Sequence, residues 1–107
     1  MEASSGDPEG CLFSLATLTE WYGQLEYEEE FENSLSRANI LLSKIGTPLT
    51  SARFRKIEGN HHLRLWKKTG KASALASAFR AFDGAAVMYE RIHLHEMADA
   101  ARAIPLA

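Results

Sequence analysis

The sequence has little cysteine and no long apolar run. With Cys11 as the one cysteine among 107 residues, the chain cannot form an internal disulfide or a cysteine-based zinc site, and a reducing compartment is the simpler expectation. Its apolar runs, such as residues 38–42, fall far short of the roughly 20 residues that a membrane span needs. The first ten residues carry acids where a secretory signal peptide carries positive charge. We therefore expect a soluble, cytoplasmic protein that does not interact with a membrane.

The composition is that of one ordinary globular domain. Hydrophobic residues make up 46% of the chain and charged residues 24%. A chain of this length can build one hydrophobic core but not two. Residues 1–10 mix Ser, Gly, Pro and acids without apolar periodicity, which predicts a disordered tail. Residues 11–107 are then expected to form a single domain.

Apolar residues recur at helical spacing in the first half of the chain. Residues 12–22 predict a short helix, although "CLFSLA" also fits a strand. The clearest helix runs from Gln24 to Ile45, with acids in its first half, Lys44 in its last turn and Gly46 after it. The residues expected on its apolar face are Phe31, Leu35, Ala38, Leu42 and Ile45.

The middle of the chain is less regular. Residues 50–58 predict a short helix that is capped by Thr50 or Ser51 and closed by Gly59-Asn60. The stretch "HHLRLWKK", residues 61–68, fits either a strand or a helical turn.

The dipeptide Asp83-Gly84 decides between two fold classes. A helix over 71–83 is favoured by its alanine content and by one apolar stripe, formed by Ala72, Leu75, Ala76, Phe79 and Phe82. A second helix is predicted before Pro105 from Leu94, Met97, Ala98, Ala101 and Ile104. Asp-Gly also joins strands in tight hairpins, and residues 77–95 would then form a hairpin. We favour a break between helices, and hence an all-α, single-domain bundle of four to six helices. The alternative is an α+β fold with a small antiparallel sheet.

Charge is distributed unevenly along the chain. Residues 1–33 contain nine acids and no Lys or Arg, whereas residues 53–80 contain eight basic residues and one acid, Glu58. Such asymmetry can mark a site for an acidic partner, or two charged segments that partly neutralise one another in the fold. The basic residues are interleaved with Phe54 and Trp66, a composition typical of surfaces that bind nucleic acid. The net charge of −2 argues against a dedicated nucleic-acid-binding protein.

The sequence contains no recognised catalytic or metal-binding motif. The histidines, His61-His62 and His93 with His95, do not have the spacing of a motif such as HExxH. On a helix, His93 and His95 would point about 200° apart. The acids of residues 26–32 are explained by helix-end electrostatics. We therefore predict no catalytic residue, no metal site and no cofactor.

Two segments resemble known families. The stretch "LRLWKKTGKASALASAFRAF" resembles the later helices of death-fold adaptor domains through Leu63, Trp66, Gly70, Leu75 and Phe79. In the hairpin interpretation, residues 79–100 are similar to the closing hairpin of RelE/ParE-type toxins. The matched positions there are Arg80, Ile92, Leu94, His95 and Asp99.

These patterns favour a non-enzymatic protein-interaction or regulatory module, of the adaptor kind, whose basic segment binds an acidic partner. The predicted contact residues are Arg53, Arg55, Lys56, Lys67 and Lys68. We expect a protein partner, and leave contact with nucleic acid and self-association open. The alternative function, implied by the second resemblance, is a toxin that acts on RNA or a topoisomerase through Arg64, Arg80 and His95.

Overall fold

The computed structural model describes residues 8–103. These residues form five helices: α1 (Pro8–Gln24), α2 (Glu28–Ile45), α3 (Pro48–Thr69), α4 (Ala72–Arg91) and α5 (His95–Arg102). No strand occurs between residues 8 and 103. The predicted all-α class is therefore confirmed, and the α+β alternative is not supported.

Helix α3 lies at the centre of the bundle. It packs along α4 on one side and contacts α1 and α2 on the other, while α1 packs on α2 and α5 packs on α4. Leu63 near the end of α3 clusters with Ala78 and Phe82 in α4, whereas Ala52 near its start clusters with Tyr89 further along α4. The two long helices are therefore antiparallel, as the short connection between them requires.

The core consists of three buried clusters along α3. The largest joins α1, α2 and α3 through Leu12, Ala16, Phe31, Ala38, Phe54 and Ile57. The cluster beneath α5 is made mostly of alanines: Ala52, Ala85, Ala86, Ala98 and Ala101, with Tyr89. Small side chains at these positions let α4 and α5 approach closely.

Helix α2 has the apolar face that was predicted, but it begins later than Gln24. Phe31 and Ala38 are buried, and Leu35, Leu42 and Ile45 pack against the same cluster. Between α1 and α2 the chain turns with Glu26 in the left-handed region, at φ 62°. The amide of Tyr27 donates to the Tyr22 carbonyl and that of Glu26 to the Gly23 carbonyl, which is the Schellman pattern of a helix end.

The predicted end of a helix at Gly59-Asn60 is wrong, because α3 continues through it to Thr69. Its first residues are capped by Thr47 rather than by Thr50 or Ser51. The Thr47 hydroxyl accepts from the Thr50 amide at 3.2 Å, and the Thr50 hydroxyl accepts from the Thr47 amide at 3.0 Å. Residues 61–68, for which the sequence allowed either a strand or a helical turn, belong to this helix.

The predicted break at Asp83-Gly84 is also wrong, as is the hairpin turn. Helix α4 passes through both residues and ends after Arg91, where His93 adopts φ 62°. Phe82 is buried and Leu75 packs against its cluster, partly buried, as expected. The other members of the predicted stripe, Ala72, Ala76 and Phe79, are exposed, Phe79 by 44%. The buried face of α4 is displaced from the predicted stripe and includes Ala78, Ala85, Ala86 and Tyr89.

The two ends of the chain are only partly described. Helix α1 begins at Pro8, inside the segment predicted to be a tail, and residues 1–7 of that segment lie outside the described residues. In α5, Ala98 and Ala101 are buried and Met97 is 41% exposed, while Ile104 lies outside the described residues. No helix within residues 8–103 is both long and apolar enough to cross a membrane.

Candidate functional site

Three of the five predicted contact residues form ion pairs inside the fold. Lys68 pairs with Glu26 in the turn after α1, and Arg55 pairs with Glu58 and donates to Asn39 Oδ1 at 2.9 Å. Arg53 Nη2 lies 3.7 Å from Glu20 Oε1. Two of these acids come from the acidic N-terminal segment. The opposed charges therefore partly neutralise one another across the contacts of α3.

The predicted contact residues do not line one common surface. Arg53 and Lys56 line a groove of about 460 Å³ between α1 and α3, here called the α1–α3 groove. Lys67 and Lys68 line a cavity of about 340 Å³ beside His61, the His61 cavity. Arg55 lines a third, of about 310 Å³, together with Arg80. Only Arg53 and Lys56 are brought together with exposed apolar side chains.

The α1–α3 groove has a buried floor and an exposed apolar rim. Leu12 and Phe54 form part of the floor, at 1% exposure each. Around them Phe13 is 64% exposed, Leu49 50% and Met97 41%. Apolar side chains of this size at the edge of a concave surface are typical of a binding site rather than of an isolated surface contact.

The basic residues of this groove differ in how firmly they are held. The Arg53 guanidinium carbon lies 4.8 Å from the centre of the Phe13 ring, and Nη2 donates to Thr17 Oγ1 at 3.3 Å. Arg53 is therefore fixed against α1. Lys56 is exposed and has no ion pair among the described residues, so its charge is available to an incoming acid.

Helix α1 and the first residue after it carry a second exposed apolar side. Leu18 is 41% exposed, Trp21 60% and Leu25 59%. At helical spacing Leu18 and Trp21 point away from the buried residues Leu12 and Ala16. These side chains line none of the three cavities described above, which distinguishes this side from the α1–α3 groove.

The His61 cavity contains a buried imidazole. His61 is 6% exposed, its ring stacks on Phe31 at 4.1 Å between centres, and Nε2 donates to Glu28 Oε2 at 3.0 Å. Burial lowers the pKa of His61, and the Glu28 carboxylate opposes that shift only in part. Arg64 lines the same cavity. The histidine is thus a rigid, neutral group near neutral pH.

The third cavity lies between α3 and α4. Arg80 Nη2 donates to Ser77 Oγ at 3.2 Å, and Arg55 pairs with Glu58, which lines the same cavity. Burial raises the pKa of the Glu58 carboxyl, with Arg55 and then His62 acting in the opposite direction. The two cations of the third cavity, Arg55 and Arg80, are therefore largely occupied by neighbouring groups.

The three residues of the toxin interpretation are not brought together. Arg64 lines the His61 cavity, Arg80 lines the third cavity, and His95 is the first residue of α5. The hairpin that would have aligned them does not occur within the described chain.

The two rings that are interleaved with the cations, Phe54 and Trp66, face the core. Phe54 is 1% exposed, and Trp66 is partly buried against Leu63, Ala78 and Phe82. Nucleic-acid binding by stacking needs exposed rings beside the cations. Phe54 and Trp66 therefore do not supply such rings.

Sequence reasoning missed the apolar rim of the groove and the surroundings of His61. Phe13 lies off the periodic face of its helix, and that mismatch was the available indication of exposure. Met97 was placed on the same helical stripe as Ala98 and Ala101, and nothing in its spacing indicated that it is exposed. The meeting of Glu28 with His61 joins residues 33 apart in the sequence and leaves no local pattern.

Comparisons with protein-family models, with curated proteins and with solved structures found no match to this chain. Neither the resemblance to death-fold adaptor domains nor that to RelE/ParE-type toxins gains support from them.

Proposed function

We propose that this protein is a non-enzymatic interaction module, and that its α1–α3 groove binds an acidic amphipathic segment of a partner protein. The observation that carries the proposal is the apolar rim of Phe13, Leu49 and Met97 beside the cations Arg53 and Lys56. A regulatory role would follow if binding in the groove controlled the access of other molecules to that partner.

The apolar part of the groove supports an amphipathic occupant. A helix laid into a groove presents apolar residues at steps of three and four, and covering three half-exposed side chains removes apolar surface from water. A volume of about 460 Å³ accommodates a few such side chains rather than a whole domain. The occupant is therefore best described as a segment.

The charges support an acidic occupant. Lys56 has no acid of its own among the described residues, and Arg53 is held in place before the partner arrives. Glu20 is the one acid lining the groove and is already engaged by Arg53. Acids flanking the apolar residues of a partner would meet unpaired positive charge, which favours the correct orientation and speeds association.

A designed peptide tests the proposal directly. The probe is a helical peptide with leucines at positions i, i+3, i+4 and i+7 and glutamates on both flanks, titrated into the isotopically labelled protein. We expect chemical-shift changes at Phe13, Leu49 and Met97, and an affinity that falls as salt is raised. A peptide with lysines in place of the glutamates is the control and should bind more weakly.

Two matched pairs of variants locate the contact. Lys56→Glu should weaken binding of the acidic peptide by about five-fold at low salt, whereas Lys44→Glu, on α2, should not. Leu49→Asp should weaken it by about ten-fold or more, whereas Leu18→Asp, on the other exposed side of α1, should not. Shift changes at Trp21 and Leu25 instead, or equal binding of the two peptides, would contradict the proposal.

A further inference from the structure

We propose that Glu28, Glu32 and His61 bind a divalent transition-metal ion, with Zn²⁺ the best match to their donor atoms. One ligand atom from each residue can be chosen so that all three lie within 4.8 Å of one another. Two carboxylate oxygens and one imidazole nitrogen form a donor set that zinc accepts, with a water completing four-coordination.

The three donors need only a small adjustment to meet one ion. Donors at about 2.1 Å from a tetrahedral zinc are about 3.4 Å apart. The widest separation, of up to 4.8 Å, must therefore close by at most about 1.4 Å, and Glu28 Oε2, now 3.0 Å from His61 Nε2, must move slightly away from it. Glu28 and Glu32 can make that change because both are exposed, and they are one helical turn apart on α2. The movement falls on the side chains that are free to move.

His61 supplies the fixed part of the site. Its ring is held between helices by the stack on Phe31, and its Nε2 already faces Glu28 at 3.0 Å. A metal on Nε2 takes the lone pair of that nitrogen, so the proton that Nε2 now donates to the carboxylate moves to Nδ1 and the ring stays neutral. Burial favours the neutral imidazole, which is the form that ligates a metal, so little competition from protonation is expected near neutral pH.

The nitrogen donor determines the class of ion. Imidazole suits zinc, copper, nickel and cobalt, whereas Mg²⁺ and Ca²⁺ prefer sites made of oxygens alone. Arg64 and Lys68 line the His61 cavity, and their positive charges repel a metal ion there. The charge of Lys68 is partly neutralised by Glu26. We therefore expect zinc to bind measurably and magnesium not to bind at the same concentration.

The test uses the metal alone with the full chain. ZnCl₂ should raise the Tm of the wild-type protein, because an ion that binds the folded state stabilises it. MgCl₂ at equal concentration should leave Tm unchanged. Isothermal titration should report one zinc per chain, and Co²⁺ should give the visible absorption of a site with nitrogen and oxygen ligands.

Matched variants separate this site from adventitious binding. Glu32→Gln keeps an exposed residue of the same size and should weaken zinc binding about ten-fold or more, whereas Glu29→Gln makes the same charge change outside the cluster and should leave it intact. His61→Gln should abolish the cobalt absorption, whereas His62→Gln should retain it. Should His61→Gln fail to fold, the comparison of Glu32→Gln with Glu29→Gln still decides whether zinc binds at this cluster.

Three results would overturn the assignment. The first is the absence of any zinc-dependent Tm shift. The second is an equal loss of affinity in Glu32→Gln and Glu29→Gln, which would indicate general attraction to the acidic helix end. The third is loss of binding in a variant lacking both His93 and His95, which would move the metal to that surface pair. None of these results bears on peptide binding at the α1–α3 groove.

Discussion

Phe82 in α4 lies directly over Gly59 in α3: a Cβ atom built on Gly59 would lie 2.8 Å from Cζ of the buried Phe82 ring. Both helices are continuous here, so the glycine lets them approach. Alanine at position 59 would gain about 1 kcal/mol in helix propensity, but overpacking costs about 1–3 kcal/mol. We expect Gly59→Ala to lower the free energy of unfolding by up to about 2 kcal/mol, as measured by urea denaturation.

Gly84 provides the matched control for that change. It also lies inside a helix, but a Cβ there would lie 3.7 Å from the nearest atom, Arg55 Cγ, which is an ordinary contact. Gly84→Ala should therefore raise the free energy of unfolding by about 0.5–1 kcal/mol through helix propensity alone. If Gly59→Ala and Gly84→Ala both stabilised the protein, Phe82 would have to move aside without cost. If both destabilised it, the result would contradict a helix that continues through Asp83-Gly84.

These two glycines also explain which parts of the fold could be predicted. Helical periodicity around Phe31 and Ala38 identified α2, and the alanine content of α4 favoured a helix there. Gly59-Asn60 and Asp83-Gly84 look like helix ends in sequence, yet both lie inside helices. Gly59 makes room for Phe82, a neighbour distant in sequence, whereas Gly84 has no close packing contact and is carried by the alanine-rich helix around it.

The true end of α4 is set by a residue that does not usually end helices. His93 adopts φ 62°, its amide donates to the Glu90 carbonyl, and the Leu94 amide donates to the Tyr89 carbonyl. Glycine is preferred at this position because a side chain in the left-handed region costs about 1 kcal/mol or more. His93→Gly should therefore raise the free energy of unfolding by up to about 1 kcal/mol, measured by denaturant titration.

His93→Ala is the control that isolates the backbone effect. It removes the same imidazole but retains a Cβ in the left-handed region, so no gain is expected. If His93→Ala stabilised the protein as much as His93→Gly, the destabilisation would come from the imidazole and not from the left-handed backbone. The absence of Gly or Pro at this turn is why the end of α4 was not located from sequence, whereas the end of α1 was predicted near residue 22 and lies at Gln24.

Stability should depend on pH through His61. Burial lowers the pKa of His61 below the ordinary value of 6.5, so the unfolded chain binds the proton more strongly than the folded one. The contribution of His61 to stability is therefore complete above pH 6.5 and is lost as the pH falls through 6.5 toward the folded-state pKa. For one proton the slope cannot exceed about 1.4 kcal/mol per pH unit.

Urea denaturation between pH 5 and 8 measures this slope. His61→Gln should flatten it, whatever that variant's stability at pH 8, and His62→Gln should retain it. Glu58 acts in the opposite direction, since burial raises its pKa and the folded state then binds the proton more strongly. The comparison is therefore made in a Glu58→Gln background, where an unchanged slope in His61→Gln would contradict the assignment.

The candidate sites were less accessible to sequence reasoning than the helices. The basic residues from Arg53 to Lys68 were identified correctly as a charged segment. A helix distributes such a run around its axis, however, and the acids of α1 and the following turn engage Arg53 and Lys68. Which cations remain unpaired depends on how α1 docks on α3, and no local pattern encodes that docking.

Arg102 joins α5 to α4 through two acids. Its Nε donates to Asp83 Oδ1 at 3.0 Å, and Nη1 and Nη2 donate to the two Glu90 oxygens at 2.6 and 3.3 Å. The hydrogen bonds to Glu90 lower the pKa of that carboxyl. Helix α5 has eight residues, too few to persist without packing. Hydrogen exchange of the α5 amides should therefore report the loss of the contact between Arg102 and the two acids of α4.

We expect Arg102→Ala to accelerate exchange at Ala98, Ala101 and Ala103 while leaving α2 unchanged, because exposed ion pairs contribute little to global stability but can hold a short element in place. Arg102→Lys should be intermediate, since an ammonium cannot reproduce the fork that reaches Asp83 and Glu90 together. Arg91→Ala removes an arginine of α4 that forms no ion pair within residues 8–103 and donates to Met88 sulfur at 3.9 Å, and it serves as the control. Equal acceleration in Arg91→Ala, or none in Arg102→Ala, would mean that the alanine contacts at Ala98 and Ala101 suffice to hold α5.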